Sequence, residues 1–541
     1  MEQKNKIIKI FLASSNELED DREKFGNFIR RIDKKIFAKQ GIHIDLTEWE
    51  DEDSAYRGDR KQNEYNELVR ESDIFLALFY TKGGAFTIEE FDVAKDEYAT
   101  KKSPVIYVFF KDLPEKKKWT PELKAFTQTL GDIGLFWTSY GNQDSLRLHF
   151  LYQLLIGEND TLKLKLDGDK VTLGGETVAD MANLPFAAGN KDYQRISAEL
   201  MTLPGEIDGA RHFVDEHPDN DYMRGELQKK LNRYNGLKEE FARLQQTLFE
   251  TSQRIAVMQR EQLSDKLRRA TEAFEAGNLD GANALLDEIA HEAENHYKNL
   301  SQDRELVHQD IEAFLLQAKT VMAEVKTPVS KRIEQAQDIY AKADQWAEES
   351  ALPKEKYEGL LDDYSDFLYD YGLYKEAEPV HLRLISLREA LYGPDHPDTA
   401  ESYNNIGVVY RIQGDYAKAL EYYGKASGIW ARVLGPDYPS TASSYNNIGV
   451  VYYVQGDYAK ALEYYGKALD IRERVLGPDH PDTAGSYNNI GLVYDEQGDY
   501  AKALENYGKA LDIFERVLGP EHPNTKTVRE NMEQCHRKAY G

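Results

Sequence analysis

A repeat of 42 residues near the C-terminal end constrains this chain more than any other feature. The string SYNNIGVVY begins at Ser402 and again at Ser444, and the near-copy SYNNIGLVY begins at Ser486, so each interval is 42 residues. One alanine keeps the same interval across four units, at Ala377, Ala419, Ala461 and Ala503. A period of this length is typical of stacked helical arrays, in which each unit buries its apolar face only against its neighbours.

Each unit is predicted to be two amphipathic helices joined by a tight turn. In the second clean unit, Ile448, Gly449 and Tyr452 fall on one face of the first helix. Leu462 and Tyr465 fall on one face of the second helix. The two helices are predicted to cross closely at Gly449, where only a small residue fits. The string LGPDHP is predicted to end a unit because Gly and Pro stop a helix.

These residues resemble the tetratricopeptide signature, whose small and aromatic positions are occupied here by Gly407, Tyr410, Ala419, Tyr423 and Ala426. The 42-residue spacing and LGPDHP resemble the kinesin-light-chain-like variant of that repeat. The resemblance covers residues 357 to about 530. It implies a superhelix whose concave surface binds a protein or peptide ligand.

Each first helix of the clean units carries two adjacent asparagines. The pairs are Asn404 with Asn405, Asn446 with Asn447, and Asn488 with Asn489. In the family that the repeats resemble, the first helix lines the groove, so these amides are predicted to bind the backbone of the partner. An amide side chain suits this role because it both donates and accepts hydrogen bonds. The alternative is that one asparagine of each pair only ties one helix to the next.

Upstream of this repeat domain, placed at 351–541, the composition changes twice. Residues 185–350 are rich in Glu, Gln, Lys, Ala and Leu, and are predicted to form a helical spacer in which 262–290 is a degenerate helical hairpin. Residues 159–184 are predicted to be a β-hairpin and linker, because apolar and polar residues alternate there around Asp167-Gly168.

Residues 1–158 alternate five strand patterns with five helix patterns. The third strand pattern, Ile74–Tyr80, is wholly apolar and is therefore expected to lie at the centre of a sheet that is covered on both faces. The pattern predicts an α/β doubly wound, flavodoxin-like domain with a five-stranded parallel sheet. Ligands of such domains bind beyond the carboxyl ends of the strands, at the switch point of the strand order.

The predicted strand ends carry candidate ligand-binding residues. Ser14 and Ser15 follow the first strand, Trp49 the second and Tyr80 the third. The two serines could bind a phosphate at a helix N-terminus, or Ser15 could only cap that helix. Trp49 could stack on a base, or could only pack against the sheet.

The segment at 67–94, ELVRESDIFLALFYTKGGAFTIEEFDVA, resembles the middle of TIR (Toll/interleukin-1 receptor homology) domains. The family pattern is Ser-x-Trp-Cys-x-x-Glu, and an alignment on Ala94 places Gly84, Phe86, Thr87 and Glu90 at its four defined positions. The Glu matches, whereas Gly, Phe and Thr replace Ser, Trp and Cys. The resemblance covers about 155 residues.

In TIR-family enzymes this Glu cleaves the bond between nicotinamide and ribose in NAD+. The resemblance therefore implies that Glu90 is catalytic, that NAD+ is a substrate rather than a permanently bound cofactor, and that no metal is required. It implies substrate contacts for the residues at the strand ends and for the aromatic position, which are Ser14, Ser15, Trp49, Tyr80 and Phe86. A carboxylate suits the reaction because it stabilises the positive, oxocarbenium-like ribose.

Two alternatives to a catalytic Glu90 exist within the same segment. Thr87 could be the N-cap of a helix with Glu90 at its third position, which would make Glu90 part of a capping box only. Glu89 is the second candidate for the catalytic carboxylate. It shares a helical stripe with Asp92 and Asp96, however, and that stripe has the composition of a solvated charged face.

Composition limits the remaining function classes. Asp and Glu number 95 against 68 Lys and Arg, and the net charge of -27 argues against general nucleic-acid binding. The single cysteine, Cys535, excludes a disulfide framework and suits a reducing compartment. No apolar run approaches the ~18 residues of a membrane span. A cytoplasmic protein without membrane contact is predicted.

The combined prediction is an NAD+ hydrolase whose repeats sense a protein or peptide ligand and promote self-association of the TIR-like domain. This layout resembles bacterial TIR-type effectors of anti-phage defence. Two rivals remain open. One is a non-enzymatic adaptor in which both halves are interaction modules, and the other is an enzyme like the nucleoside deoxyribosyltransferases, which share the fold and a sugar-attacking Glu.

Overall fold

The computed structural model describes residues 6–48, 58–82, 85–113, 118–132, 137–155, 163–217, 220–258, 263–520 and 522–540. Contacts between Cα atoms divide the chain into two compact units, Met1–Ile339 (unit 1) and Tyr340–Gly541 (unit 2). Each unit buries its own apolar clusters. Among the described helices, none is both long enough and apolar enough to cross a membrane.

Unit 1 opens with the predicted alternation of strands and helices. The strands are β1 (Lys6–Ser14), β2 (Ile42–Glu48), β3 (Ile74–Phe79), β4 (Val105–Lys111) and β5 (Trp137–Tyr140). The helices are α1 (Glu19–Lys35), α2 (Gly58–Glu71), α3 (Ala85–Lys101), α4 (Pro121–Asp132) and α5 (Gln143–Leu155). All pairings are parallel and the strand order is β2-β1-β3-β4-β5, which confirms the doubly wound fold.

Both faces of this sheet are covered by helices, and every residue of β3 is buried, as its apolar run predicts. On one face, Phe25 of α1 and Phe150 of α5 meet edge to face, with ring centroids 5.2 Å apart. On the other face, the ring centroid of Phe126 on α4 lies 5.1 Å from that of Phe79 on β3 and 4.9 Å from that of Phe91 on α3. These aromatic contacts fix α3 against the centre of the sheet.

A small antiparallel sheet follows, formed by β6 (Leu164–Asp167), β7 (Lys170–Leu173) and β8 (Glu176–Asp180). The predicted hairpin is present, but a third strand extends it. Val171 and Leu173 are buried in the same core as Phe25, so this segment is packed structure rather than a linker. The alternation that predicted a hairpin thus also supplies a buried face.

The described residues of the predicted spacer, 185–350, form a series of helices. Its elements are α6 (Pro185–Ala188), α7 (Lys191–Glu216), α8 (Asp221–Met258), α9 (Asp265–Glu275), α10 (Leu279–Lys298), α11 (Leu300–Met322) and α12 (Val329–Glu349). The degenerate hairpin predicted over 262–290 corresponds to α9 and α10, whose Ala270, Phe274 and Ala282 are buried.

Unit 2 consists of helix pairs with the predicted period. The helices are α13 (Lys354–Asp370), α14 (Tyr374–Tyr392), α15 (Pro397–Gln413), α16 (Tyr416–Val433), α17 (Pro439–Val454), α18 (Tyr458–Val475), α19 (Pro481–Glu496), α20 (Tyr500–Leu518) and α21 (Pro523–Tyr540). We call α13, α15, α17 and α19 the first helices of their repeats, and α21 occupies the next first-helix position.

Glycines set the distance between the two helices of each repeat. A Cβ atom added to Gly449 on α17 would lie 2.7 Å from ring carbons of Tyr465 on α18, and Gly407 and Gly491 stand in the same relation to Tyr423 and Tyr507. The prediction that Gly449 marks a helix crossing is therefore confirmed, and its partner is the buried tyrosine ring.

Candidate functional site

The carboxyl ends of β1 and β3 lie side by side in unit 1. Ser14 is in register with Leu78, and the backbone N–H of Ser15 donates to the Leu78 carbonyl at 3.3 Å. Just beyond the two strands, the Thr81 hydroxyl donates to Glu17 Oε1 at 2.6 Å. Because the chain leaves β1 for β2 on one side and later returns to β3 on the other, this edge is the switch point at which such sheets bind ligands.

The two predicted serines are buried at this edge, with exposed fractions of 2% for Ser14 and 1% for Ser15. Ser14 Oγ accepts a hydrogen bond of 2.8 Å from Arg22 Nη1. The capping alternative for Ser15 is wrong, because α1 begins at Glu19 after a short 3-10 turn and its N-cap position is Leu18. The Ser15 hydroxyl makes no hydrogen bond with the part of the chain that is described.

Glu90 is also buried, with 1% of its surface exposed. Thr87, Phe91 and Ala94 are buried as well, and this spacing of three and four residues places Glu90 on the face of α3 that packs on the sheet. The capping-box alternative is wrong, because α3 begins at Ala85 and Glu90 therefore lies in its second turn. A carboxylate in an aromatic layer is unfavourable when charged, and such groups occur preferentially at functional sites.

Glu89 lies on the exposed side of α3. Its side chain is exposed, as are those of Asp92 and Asp96, so the stripe predicted to be solvated does face water. Glu89 Oε1 accepts a hydrogen bond of 3.0 Å from Asn66 Nδ2 on α2. Glu89 therefore joins two helices at the surface and does not belong to the buried layer that contains Glu90.

Of the remaining predicted substrate contacts, the structure describes the side chain of Tyr80 but not those of Phe86 and Trp49. Tyr80, half-buried after β3, has its ring 5.7 Å from Lys111 Nζ at the end of β4. Phe86 lies in the first turn of α3, but its side chain is outside the described residues. Trp49 lies wholly outside them.

A buried polar network at the same edge was missed by sequence reasoning. Asp21 on α1 accepts a hydrogen bond of 3.1 Å from the Tyr140 hydroxyl and one of 3.2 Å from Gln143 Nε2, and pairs with Lys111 Nζ at 2.7 Å. Burial, and then the negative charge of Asp21, raises the pKa of Tyr140 above its ordinary value. The available signal was a polar residue directly after each apolar strand run, as Lys111 follows VIYVFF.

The asparagines of unit 2 form a row that joins successive first helices. Asn447 Nδ2 donates to Asn404 Oδ1 at 3.2 Å, and Asn489 Nδ2 donates to Asn446 Oδ1 at 2.9 Å. Asn488 accepts in the same way from Asn531 on α21, at 3.1 Å. In each clean pair, the first member therefore accepts a bond from the next first helix.

These bonds leave part of each amide without a protein partner. The Nδ2 atoms of Asn404 and Asn446 and the Oδ1 atoms of Asn447 and Asn489 make no hydrogen bond to described residues, and the amide of Asn405 makes none at all. The five side chains are half-buried. The row thus presents donors and acceptors in alternation along the first helices.

The row becomes acidic at α13. One period before Asn404, Asn405 and Val408 stand Asp362, Asp363 and Asp366. Limited hydration within the array raises the pKa of Asp362 to about 6, although Arg388 acts in the opposite direction.

Comparisons with known proteins bear on unit 2. A tetratricopeptide repeat model matches residues 360–429, 402–472, 440–516 and 486–539. No curated protein matches the chain.

Solved structures are similar to parts of the chain. BtubC (BKLC) from P. vanneervenii is 22% identical with a TM-score of 0.34, covering 44% of this chain and 92% of its own. A Podosopora anserina chain provisionally named a kinesin light chain is 20% identical with a TM-score of 0.29, covering 34% and 84%. The quorum sensor NprR from B. thuringiensis is 13% identical with a TM-score of 0.35, covering 63% and 82%. With the 42-residue period and the paired helices, the matched model identifies residues 360–539 as an array of tetratricopeptide repeats.

Proposed function

We propose that this protein is a ligand-sensing NAD+ hydrolase. The repeats bind an extended segment of a protein or peptide along the asparagine row, and this binding brings the TIR-like N-terminal domains of several copies together. Assembly then completes an NAD+ site around Glu90. In a bacterial cell such an effector would deplete NAD+ after recognising a phage protein, which is the role that its resemblance to TIR-type defence effectors implies.

The observation that carries peptide binding is the unused hydrogen-bonding capacity of the asparagine row. An extended peptide offers alternating N–H and C=O groups, and the free Nδ2 of Asn446 and Oδ1 of Asn447 match them in kind. Tetratricopeptide arrays use the surface of their first helices in this way. The acidic side chains Asp362 and Asp366 extend the row at α13, so the part of the ligand that reaches them carries Lys or Arg.

Peptide binding is tested with Asn405→Ala, because the Asn405 amide makes no hydrogen bond to any described residue that the change would remove. Peptides selected from a random displayed library on the full chain should bind the wild type, and Asn405→Ala should weaken them about tenfold, the equivalent of one or two hydrogen bonds. Isothermal titration calorimetry measures the change. Glu421→Gln on α16, whose side chain is 59% exposed, is the control and should bind as the wild type does. Equal binding by Asn405→Ala would contradict a role for the row.

The hydrolase proposal rests on a buried carboxylate beside the switch point of a doubly wound sheet. Glu90 lies on the sheet-facing side of α3, and α3 is fixed against β3 through Phe91 and Phe126. Its carboxylate would stabilise the ribose cation as the bond between C1′ and the nicotinamide nitrogen breaks. The bonding electrons leave with neutral nicotinamide, water then adds to C1′ and loses a proton, and the products are nicotinamide and ADP-ribose.

The burial of Glu90 also favours a second candidate, the non-enzymatic adaptor. With 1% of its surface exposed, this side chain is closed to a ligand in the arrangement described. Under the hydrolase proposal, assembly of several copies has to open the site. Under the adaptor alternative, the site stays closed and the domain acts only by self-association.

Nicotinamide release by the purified full chain separates these candidates. At high protein concentration, with a crowding agent and a selected repeat-binding peptide, we expect NAD+ to be converted to nicotinamide and ADP-ribose. Chromatography of the products measures the conversion, and dilution without peptide should suppress it. Absence of release in the presence of a bound peptide would favour the adaptor. Turnover of deoxynucleosides with NAD+ left intact would instead identify the transferase rival.

A further inference from the structure

Two arginines occupy the same position in different repeats of unit 2. Arg388 lies on α14, and Arg472 lies on α18, two periods of 42 residues later. Nη1 of each donates to a serine hydroxyl and to a backbone carbonyl on the following first helix. The acceptors are Ser402 at 2.8 Å and Asp398 at 3.3 Å for Arg388, and Ser486 at 2.8 Å and Asp482 at 3.1 Å for Arg472. The two guanidinium groups are therefore held alike.

The other donors of Arg388 meet two carboxylates on α13. Its Nε donates to Glu358 Oε1 at 2.6 Å, and its Nη2 donates to Asp362 Oδ1 at 2.7 Å. Burial acts to lower the pKa of Arg388, but Asp362 and Glu358 outweigh it and raise the pKa above its ordinary value. The charge of Arg388, which is 5% exposed, is thus compensated inside the array.

Arg472 lacks these partners. The two positions of α17 that correspond to the acids of α13 are occupied by Ala442 and Asn446, neither of which carries a charge. Among the described residues, Nε and Nη2 of Arg472 make no hydrogen bond, and its guanidinium makes no ion pair. Burial lowers the pKa of Arg472, and Asp482 opposes that effect only in part. This half-buried cation is therefore uncompensated.

The uncompensated cation adjoins the asparagine row. Arg472 is bonded to Ser486 on α19, and Asn489, one turn further along the same helix, donates to Asn446 Oδ1 at 2.9 Å. Nη2 of Arg388 bonds to the residue that corresponds to Asn446. Because the two guanidinium groups are held alike, Nη2 of Arg472 lies on the side of Asn446. Its planar fork of N–H donors matches the two oxygens of a carboxylate.

We infer that Arg472 binds the side-chain carboxylate of an Asp or Glu in the segment that occupies the asparagine row. This inference rests on the proposed peptide binding and adds a charge requirement to it. A partly buried cation is unfavourable without an opposite charge, so an acidic ligand gains what the protein itself does not supply. The row continues past Arg472 to Asn404 on one side and to Asn531 on the other. The ligand backbone therefore continues as well, which favours a side-chain carboxylate over the C-terminal one.

The positions of the charges give the ligand an order. Asp362 on α13 and Asn446 on α17 are two first helices apart. Packed helices lie about 8–10 Å apart, and an extended chain rises about 3.3 Å per residue, so the two positions are separated by roughly five or six ligand residues. The partner is accordingly an extended protein segment with a Lys or Arg and, at that spacing, an Asp or Glu.

Peptides selected from a random displayed library on the full chain test this requirement by isothermal titration calorimetry. Replacing the ligand's Asp or Glu by Asn or Gln should weaken binding to the wild type about tenfold or more, whereas amidation of the peptide C-terminus should not. Arg472→Gln should weaken the acidic peptide by a similar factor and leave its amide copy unaffected. Arg474→Gln is the matched control, because Arg474 is 59% exposed on the same helix and pairs with Asp437.

Asn446→Asp tests the same charge without removing the arginine. The new carboxylate keeps an acceptor for Asn489 and restores the pairing that Asp362 gives to Arg388. We expect it to raise the melting temperature by roughly 2–4 °C and to abolish the preference for the acidic peptide. In an Arg472→Gln background, the same substitution should not raise the melting temperature. This variant decides the matter if Arg472→Gln alone does not fold.

The outcomes separate this inference from the proposed peptide binding. If peptides bind and Asn405→Ala weakens them, but acidic and amide copies bind equally, peptide binding stands and the carboxylate site falls. Equal losses in Arg472→Gln and Arg474→Gln would also overturn the site. Loss on C-terminal amidation alone would overturn the assignment to a side chain. If no displayed peptide binds the wild type, peptide binding itself falls, and the carboxylate site falls with it.

Discussion

Glu90→Gln is expected to reduce nicotinamide release from NAD+ by a factor of about 10²–10³, with the loss in kcat rather than in KM. Glutamine keeps the shape of the side chain but removes the charge that stabilises the ribose cation in the transition state. Rates measured by chromatography of nicotinamide over a range of NAD+ concentrations separate the two parameters. A rise in KM alone would assign Glu90 to substrate binding instead.

Glu89→Gln is the matched control for that result. It makes the same chemical change one residue away, on the exposed face of α3, where Glu89 accepts from Asn66. We expect its kcat to stay within about twofold of the wild type, because Glu89 lies outside the buried layer that contains Glu90. Equal losses in the two variants would contradict the assignment of Glu90.

Gly449→Ala is expected to destabilise the repeat array, although alanine is a better helix former than glycine. The added methyl group would lie 2.7 Å from the ring of Tyr465, which is itself 3% exposed and cannot move aside freely. Overpacking of this kind costs about 1–3 kcal/mol, more than the roughly 0.5–1 kcal/mol that alanine contributes in a helix. Thermal unfolding of the full chain, followed by circular dichroism, measures the effect.

Gly466→Ala on α18 should have the opposite sign. A Cβ atom at Gly466 meets no other atom within 4 Å, so only the helical preference of alanine remains. We expect stabilisation by about 0.5–1 kcal/mol. Because both sites are helical glycines in one repeat, the comparison isolates the contact with Tyr465. Destabilisation by both substitutions would show that the helix contact in the structure does not control the outcome.

Patterns along the chain were sufficient to predict both architectures. The 42-residue period predicted the four helix pairs from α13 to α20 but not the further helix α21, and the apolar run at Ile74 identified the buried centre of the sheet. Burial on one face of a helix or strand leaves a periodic trace in the sequence, so such features can be read without long-range contacts. The small residue at Gly449 and the hairpin around Asp167-Gly168 belong to this class.

Those patterns could not predict which groups the polar side chains contact. The sequence left open whether Glu90 is catalytic or only the N3 residue of a capping box, and the tertiary packing excludes the capping box because the helix begins at Ala85 and Glu90 is buried against the sheet. The sequence offered helix capping as one of two roles for Ser15, but its hydroxyl bonds to none of the residues that the structure describes.

The sequence by itself therefore determined the elements and their buried faces, whereas the tertiary structure decided which polar groups meet. Tyr140 and Asp21 are 119 residues apart in the chain yet share a hydrogen bond, and asparagines 43 residues apart join successive repeat helices. Local periodicity shows whether a side chain is buried, because burial repeats with each turn of a helix and with every second residue of a strand. It does not record which side chain lies opposite, because that choice is made only when distant segments pack together.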